Sequence, residues 1–376
     1  MKKTYVVSAK RSAIGSFLGS LTTVNPADLG ATVVKALLED ANVAPENVDE
    51  VLCGNVLGAG LGQNVGRQVA IKAGIPETVC AHSVNMVCGS GLRTVMEGVM
   101  SIQTGFNDIV VAGGVESMSG APYLIPANTR TGNKMGDFKV VDHMIYDALT
   151  DAFDNIHMGI TAENIADKYG ITREMQDEFA YASQTKAIAA VDSGRFKDEI
   201  VPVEVKLRKE VVTFDTDEHP NRKSNPEKLA KLRPAFKKDG TVTAGNASGI
   251  NDGASFVLLA SEEAVEKYNL TPICEIVGIG QGGVDPKVMG LGPTPAIRHA
   301  LQNANMKLDE IELVELNEAF AAQSLGVIHE LVEEHGIDRE AFMAKTNVNG
   351  GAIALGHPVG ASGNRILVSL IHEMVK

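Results

Sequence analysis

The sequence has no tryptophan, four cysteines and no long apolar run, and each shortage closes off a class of protein. Cys53, Cys80, Cys88 and Cys274 are too few and too scattered for a disulfide framework. No two of them stand at Cys-x-x-Cys spacing, which argues against a zinc site, so no metal is expected. No apolar stretch approaches the ~18 residues that span a bilayer, so no membrane is expected. The opening Met1-Lys2-Lys3-Thr4-Tyr5-Val6-Val7 passes at once into strand-forming residues. That leaves no room for a signal or transit peptide, and a reducing cytoplasm is the expected home. Positive charge is short as well: 34 Lys and Arg against 47 Asp and Glu give a formal charge of −13. Such a balance excludes a general nucleic-acid surface, though not a local basic patch for an anionic small molecule.

What is present is globular: 376 residues, 44% hydrophobic and 22% charged, enough for two or three domain-sized units. Its 38 glycines exceed the average usage of roughly 7% and predict tight turns and close backbone approaches. Up to residue 116 strands alternate with helices. Strands are predicted at 5–9, 48–53, 79–84 and 108–112. Helices are predicted from Asn25-Pro26 onward, at 64–73 and at 89–103. This rhythm predicts an α/β fold with a largely parallel sheet covered by helices.

From about 117 to 246 the rhythm breaks into a polar segment with one long helix near 172–193, read as an insertion. Arg208, Lys209, Arg222, Lys223, Lys228, Lys231, Arg233, Lys237 and Lys238 crowd one part of it. Most such clusters are solvated surface; in an acidic chain, beside a cleft, this one could receive phosphates. Alternation then resumes, with strands predicted at 256–260, 273–278, 311–316 and 346–348. Helices are predicted at 295–304, 318–333 and 360–375.

The chain also repeats itself. Ala36-Leu37-Leu38-Glu39-Asp40-Ala41-Asn42 before Asp49-Glu50-Val51 matches Ala300-Leu301-Gln302-Asn303-Ala304-Asn305 before Asp309-Glu310-Ile311. Cys88-Gly89-Ser90-Gly91-Leu92-Arg93 likewise matches Gly360-Ala361-Ser362-Gly363-Asn364-Arg365. A period this long implies two duplicated halves. In the first half a strand follows the second of these motifs and its helix; in the second half the sequence ends with the helix. The second sheet is therefore expected to be short of strands, with an exposed edge.

Three motifs carry chemistry. Cys88 stands among small residues where a helix is predicted to begin. A thiol at or just inside a first turn faces unpaired N–H groups and the positive end of the helix dipole, which favours reactive thiolate. A lone cysteine is more often an inert small hydrophobe. His357 sits in a Gly356-His357-Pro358 turn and could act as base, acid or hydrogen-bond donor. Asn317 opens Asn317-Glu318-Ala319-Phe320, either as an ordinary helix cap or as an amide that holds a water or an oxyanion. Gly278-x-Gly280-x-x-Gly283 formally matches a dinucleotide fingerprint, but no clean helix and no ribose-binding acid follow it.

Taken together, four stretches closely resemble the thiolases, in particular the short-chain biosynthetic type. They are Asn85-Met86-Val87-Cys88-Gly89-Ser90-Gly91, Ala244-Gly245-Asn246-Ala247-Ser248-Gly249, Asn317-Glu318-Ala319-Phe320 and Gly356-His357-Pro358-Val359-Gly360-Ala361-Ser362-Gly363. The likeness spans essentially the whole chain in order. It implies a thiolase fold, two duplicated α/β halves in α-β-α-β-α layers with a loop domain. The N-terminal half would be 1–116 with 247–260, the loop domain 117–246, and the C-terminal half 261–376. It implies acetyl-CoA C-acetyltransferase activity: Cys88 accepts the acyl group, His357 activates it, and Asn317 holds a water that helps bind the thioester oxygen. The Cys88 N–H would serve a second oxyanion site. Coenzyme A would lie near His157, Met158, Phe236, Ala244, Ser248, Met289, Ala319 and Phe320, with Arg222 toward its phosphates. Acetyl-CoA and acetoacetyl-CoA are then substrates, no cofactor is needed, and the resemblance carries an expectation of a homotetramer built from dimers.

The sequence departs from the family in one respect. The base of the second, carbon–carbon bond-forming step is usually another cysteine in a Cys-x-Gly-Gly-Gly loop, and no such loop occurs. Two alternatives therefore stand beside the main reading: a 3-ketoacyl-CoA thiolase of broader chain length, and a truncated, catalytically impaired acyl-CoA-binding homologue.

Overall fold

The computed structural model describes residues 2–125, 127–207 and 209–376; Met1 and Arg208, both used above, lie outside them. The central sheet is built on β1 (Thr4–Ser12), β2 (Glu50–Gly54), β3 (Cys80–Val84), β4 (Ile109–Ser117), β5 (Asn251–Ser261) and β6 (Cys274–Glu275). The principal helices are α1 (Pro26–Asp40), α2 (Val65–Lys72), α3 (Ser90–Gln103), α4 (Met158–Tyr169), α5 (Arg173–Asp192), α6 (Pro293–Ala304), α7 (Ala321–His335) and α8 (Val359–Val375). Several begin where side-chain chemistry dictates. Asn25 Oδ1 accepts from Ala27 N at 2.9 Å ahead of the α1 proline, and Thr172 accepts from Met175 N at the head of α5.

The strand order is β6-β1-β5-β4-β2-β3. Period-two alternation divides the strand side chains between two cores. Val7, Val51, Val111 and Leu258 pack with Val33 and Leu37 of α1 and Val69 of α2. Their neighbours Val6, Leu52, Val110 and Leu259 pack with Val95, Val99 and Ile102 of α3 and with Val368 and Ile371 of α8. A third core joins α4 to α7 through Ile165, Ala166, Leu325, Ile328 and Leu331.

The sheet is mixed, which corrects the expectation of a largely parallel one. β2 runs parallel to β3 and β4. β5 runs antiparallel to both β1 and β4, and β6 antiparallel to β1. Parallel pairing follows from a helical crossover between consecutive strands. β5 instead arrives after the long insertion, so that constraint does not act on it.

In the second half the strands expected at 311–316 and 346–348 reduce to one bridge, Val314 to Thr346. A side chain substitutes for the ladder beside it: Asn347 accepts from Leu316 N at 2.7 Å and donates to Leu316 O at 3.0 Å. The helix expected from 318 begins at Ala321. Residues before it are held out of the helix: Ser248 N donates to Ala319 O, Ala321 N donates to Asn246 O, Glu318 takes a left-handed φ of +53° and Phe320 is extended. Asn317 is thus not a helix cap.

Candidate active site

The two small-residue helix openings of the repeat meet over the sheet. A Cβ on Gly91 would lie 2.8 Å from the Asn364 nitrogen and 3.0 Å from the Gly360 oxygen. On Gly114 of β4 it would lie 2.1 Å from that same oxygen. Only glycine allows α3, α8 and β4 to touch backbone to backbone. The contact brings Cys88, just before α3, to His357, just before α8.

Cys88 sits on a tightly held turn. Asn85 Oδ1 accepts from Val87 N at 3.0 Å. Ser90 Oγ accepts from Met86 N at 2.8 Å and donates to Val87 O at 2.6 Å. Val87 is thereby fixed at φ +47°, a strained conformation for a β-branched residue and one that clusters at functional sites. Gly89 is the N-cap of α3, so the half-buried Cys88 precedes the helix. The expected thiolate is not the resting form. Burial pushes the thiol up to about 11, outweighing its own backbone N–H, with the Glu116 carboxylate adding to the rise.

His357 is 6% exposed. Its backbone N–H donates to Asn251 Oδ1 at 2.8 Å, and Gly356 before it takes φ +101° against the Asn251 side chain. Burial, reinforced by the Arg365 charge, lowers the imidazole to about 4, so it is neutral at physiological pH. Its tautomer follows from a neighbour. Ser362 Oγ donates to Pro358 O at 2.9 Å and lies 2.5 Å from His357 Nδ1. A hydroxyl has one proton to give, so it accepts from Nδ1–H. Nε2 is left as an acceptor 3.2 Å from Cys88 Sγ. Asn317 Nδ2 lies 3.3 and 3.4 Å from the two ring nitrogens, and its buried Oδ1 has no protein partner. This arrangement can move a proton from sulfur to imidazole with a polar amide beside it.

Most residues expected to line the coenzyme form a second cluster. His157 caps α4 through Nδ1 and stacks on Phe236, with ring centroids 4.6 Å apart. Phe236 meets Phe320 edge to face at 6.2 Å. Met158 packs in the same core, Ser248 N binds Ala319 O, and Ala244 is exposed at the turn before them. Met289 lies half-buried in the turn Pro286–Leu291, which Asn164 of α4 holds through Lys287 O. Arg222 is not part of this cluster: it is exposed and pairs with Asp192 at the end of α5 through both guanidinium Nη atoms. Lys237 likewise pairs with Asp167.

Sequence reasoning missed the roles of Ser90 and Ser362, which read only as small residues opening helices, and of Asn251, which carried no signal. It also missed Glu116, whose signal was a carboxylate at the end of an otherwise uncharged strand buried along its whole length.

Comparison with known proteins gives the family. A sequence model described as the thiolase N-terminal domain matches residues 4–263, and one described as the thiolase C-terminal domain matches 270–376. The chain is 55% identical over 374 residues to an acetyl-CoA acetyltransferase of Escherichia coli K12, covering 100% of this chain and 93% of that one. Its fold matches the solved acetyl-CoA acetyltransferases of Syntrophomonas wolfei (TM-score 0.96) and Bacillus anthracis (TM-score 0.94). Both are 45% identical, cover 100% of this chain, and are themselves covered to 93% and 92%. A thiolase fold with its cysteine and histidine joined at a glycine crossing, and family models spanning nearly every residue, place this chain in the thiolase family.

Proposed function

We propose that the chain is an acetyl-CoA C-acetyltransferase, catalysing the reversible condensation of two acetyl-CoA to acetoacetyl-CoA and coenzyme A. The observation that carries this is the 3.2 Å contact between Cys88 Sγ and an imidazole nitrogen left free to accept. His357 Nε2 takes the thiol proton as sulfur attacks the thioester carbonyl. Coenzyme A leaves with a proton from the imidazolium, and the acetyl group remains on sulfur. Asn317 lies where its amide can bind the thioester oxygen through a water, and the Cys88 N–H serves the second oxyanion. In the second half-reaction a base removes a methyl proton from another acetyl-CoA, the carbanion attacks the acetyl-cysteine carbonyl, and the carbon–sulfur bond breaks to release acetoacetyl-CoA and the Cys88 thiolate, which is reprotonated. Cys53, Cys274 and Cys80 lie elsewhere, the first two in other cores and the last at the sheet edge, and none is assigned that role.

His157, Met158, Phe236, Ala244, Ser248, Met289, Ala319 and Phe320 line the acyl-CoA in this reading. Arg222 reaches a phosphate only by leaving Asp192. The domain division is 1–116 with 247–260, then 117–246, then 261–376. No cofactor enters, since coenzyme A thioesters are substrates. A cytoplasmic homotetramer built from dimers fits the free edge of β3, its exposed residues, and Met86, Val87 and Leu92 nearby. Among the described residues no helix is long and apolar enough to cross a membrane.

The test is thiolysis of acetoacetyl-CoA by coenzyme A. Turnover to acetyl-CoA is expected, with a loss of about a thousandfold or more in Cys88→Ala. Turnover of longer 3-ketoacyl-CoAs but not of acetoacetyl-CoA would overturn the chain-length assignment.

A further inference from the structure

Glu116 is fully buried at the end of β4 and faces uncharged donors only. One carboxylate oxygen accepts from Asn55 Nδ2 at 3.1 Å and Leu57 N at 3.0 Å. The other accepts from Val56 N at 3.0 Å and Gly360 N at 2.9 Å. Four donors converge on two oxygens, and no acceptor among them could receive a carboxyl proton, so the hydrogen bonding fits the ionised form. A buried charge without a cation is costly, and a glutamine would set its own NH₂ against two of these N–H groups. Gly360 opens the first turn of α8, three residues past His357, and residues 55–57 form the turn after β2.

We propose that Glu116 is a positioning residue for the Cys88–His357 pair: it pins the first turn of α8 to the turn after β2, and its negative charge beneath the site keeps the proton on Cys88. Other ionisable groups bear on the site from each packed element. They are Asp252 of β5, Cys53 of β2 and Cys88 ahead of α3, with Arg365 of α8 acting on His357. Burial raises Glu116 itself to about 7, while the backbone N–H groups of Leu57, Val56 and Gly360 pull it down. A resting thiol that gives up its proton only to His357 is protected from stray alkylation and oxidation.

The inference rests on Cys88 being the acyl acceptor, but its test reads the free thiol and so stands or falls separately. The rate of Cys88 alkylation by iodoacetamide is measured against pH in the full chain, alongside turnover. In Glu116→Gln the midpoint is expected to fall by about one pH unit while turnover also falls. Loosening that admitted water to Cys88 would also lower the midpoint, because burial is the main cause of its rise, so the charge-conserving variant is the control. Glu116→Asp keeps the charge and shortens the reach, so it is expected to lose turnover at an unchanged midpoint. A folded glutamine variant with the parent midpoint overturns the proposal. So does an aspartate variant whose midpoint drops, whether or not the glutamine variant folds.

Discussion

At rest the proton sits on Cys88 and the imidazole beside it is neutral, because burial disfavours charge on both. Reactivity therefore depends on a preset acceptor more than on a preformed thiolate, and Ser362 presets it by accepting from Nδ1–H. Ser362→Ala removes that acceptor and lets the proton settle on Nε2, so acetylation of Cys88 is expected to slow roughly tenfold, with threonine restoring it. Rapid-quench acetylation checks this; an unchanged rate in the alanine variant would contradict it. The same experiment run against pH has a defined sign. His357 is competent while neutral, and its ordinary value of 6.5 is lowered to about 4. The acid limb of acetylation is expected as pH falls through about 4, not through 6.5.

The element that matters most is the crossing of α3 and α8. A methyl group on Gly91 would meet Asn364 and Gly360 backbone atoms that cannot swing aside. Gly91→Ala is expected to cost about 1–3 kcal/mol in urea unfolding and to slow acetylation by separating Cys88 from His357. Full activity at parental stability would contradict the backbone contact. The motifs around this crossing were legible in the sequence because small residues before an amphipathic run have few other uses. The start of α1 was legible for the same kind of reason, a cap followed by proline. The start of α7 was not, since Glu318 at φ +53° is held by Ser183 and Asn347, which lie far along the chain. Nor was the direction of β5, which is set by where a 130-residue excursion returns.

Over the whole molecule, duplication explains why the site exists and also where the copies diverge. The matching arginines of the repeat have different fates. Arg93 is half-buried, paired with Glu97 and Gln281. Arg365 is 2% exposed beside Glu315 at 3.7 Å, and its charge helps keep His357 neutral. The repeat was visible in the sequence; the burial of one copy was not, because it depends on what each helix packs against. Each half supplies one member of the reacting pair, so acyl transfer belongs to neither half alone. Mass mapping of the full chain after brief exposure to acetyl-CoA tests this directly. One acetyl group is expected on Cys88, forming far more slowly in His357→Ala; an acetyl group on any other residue, or an undiminished rate without His357, would contradict it.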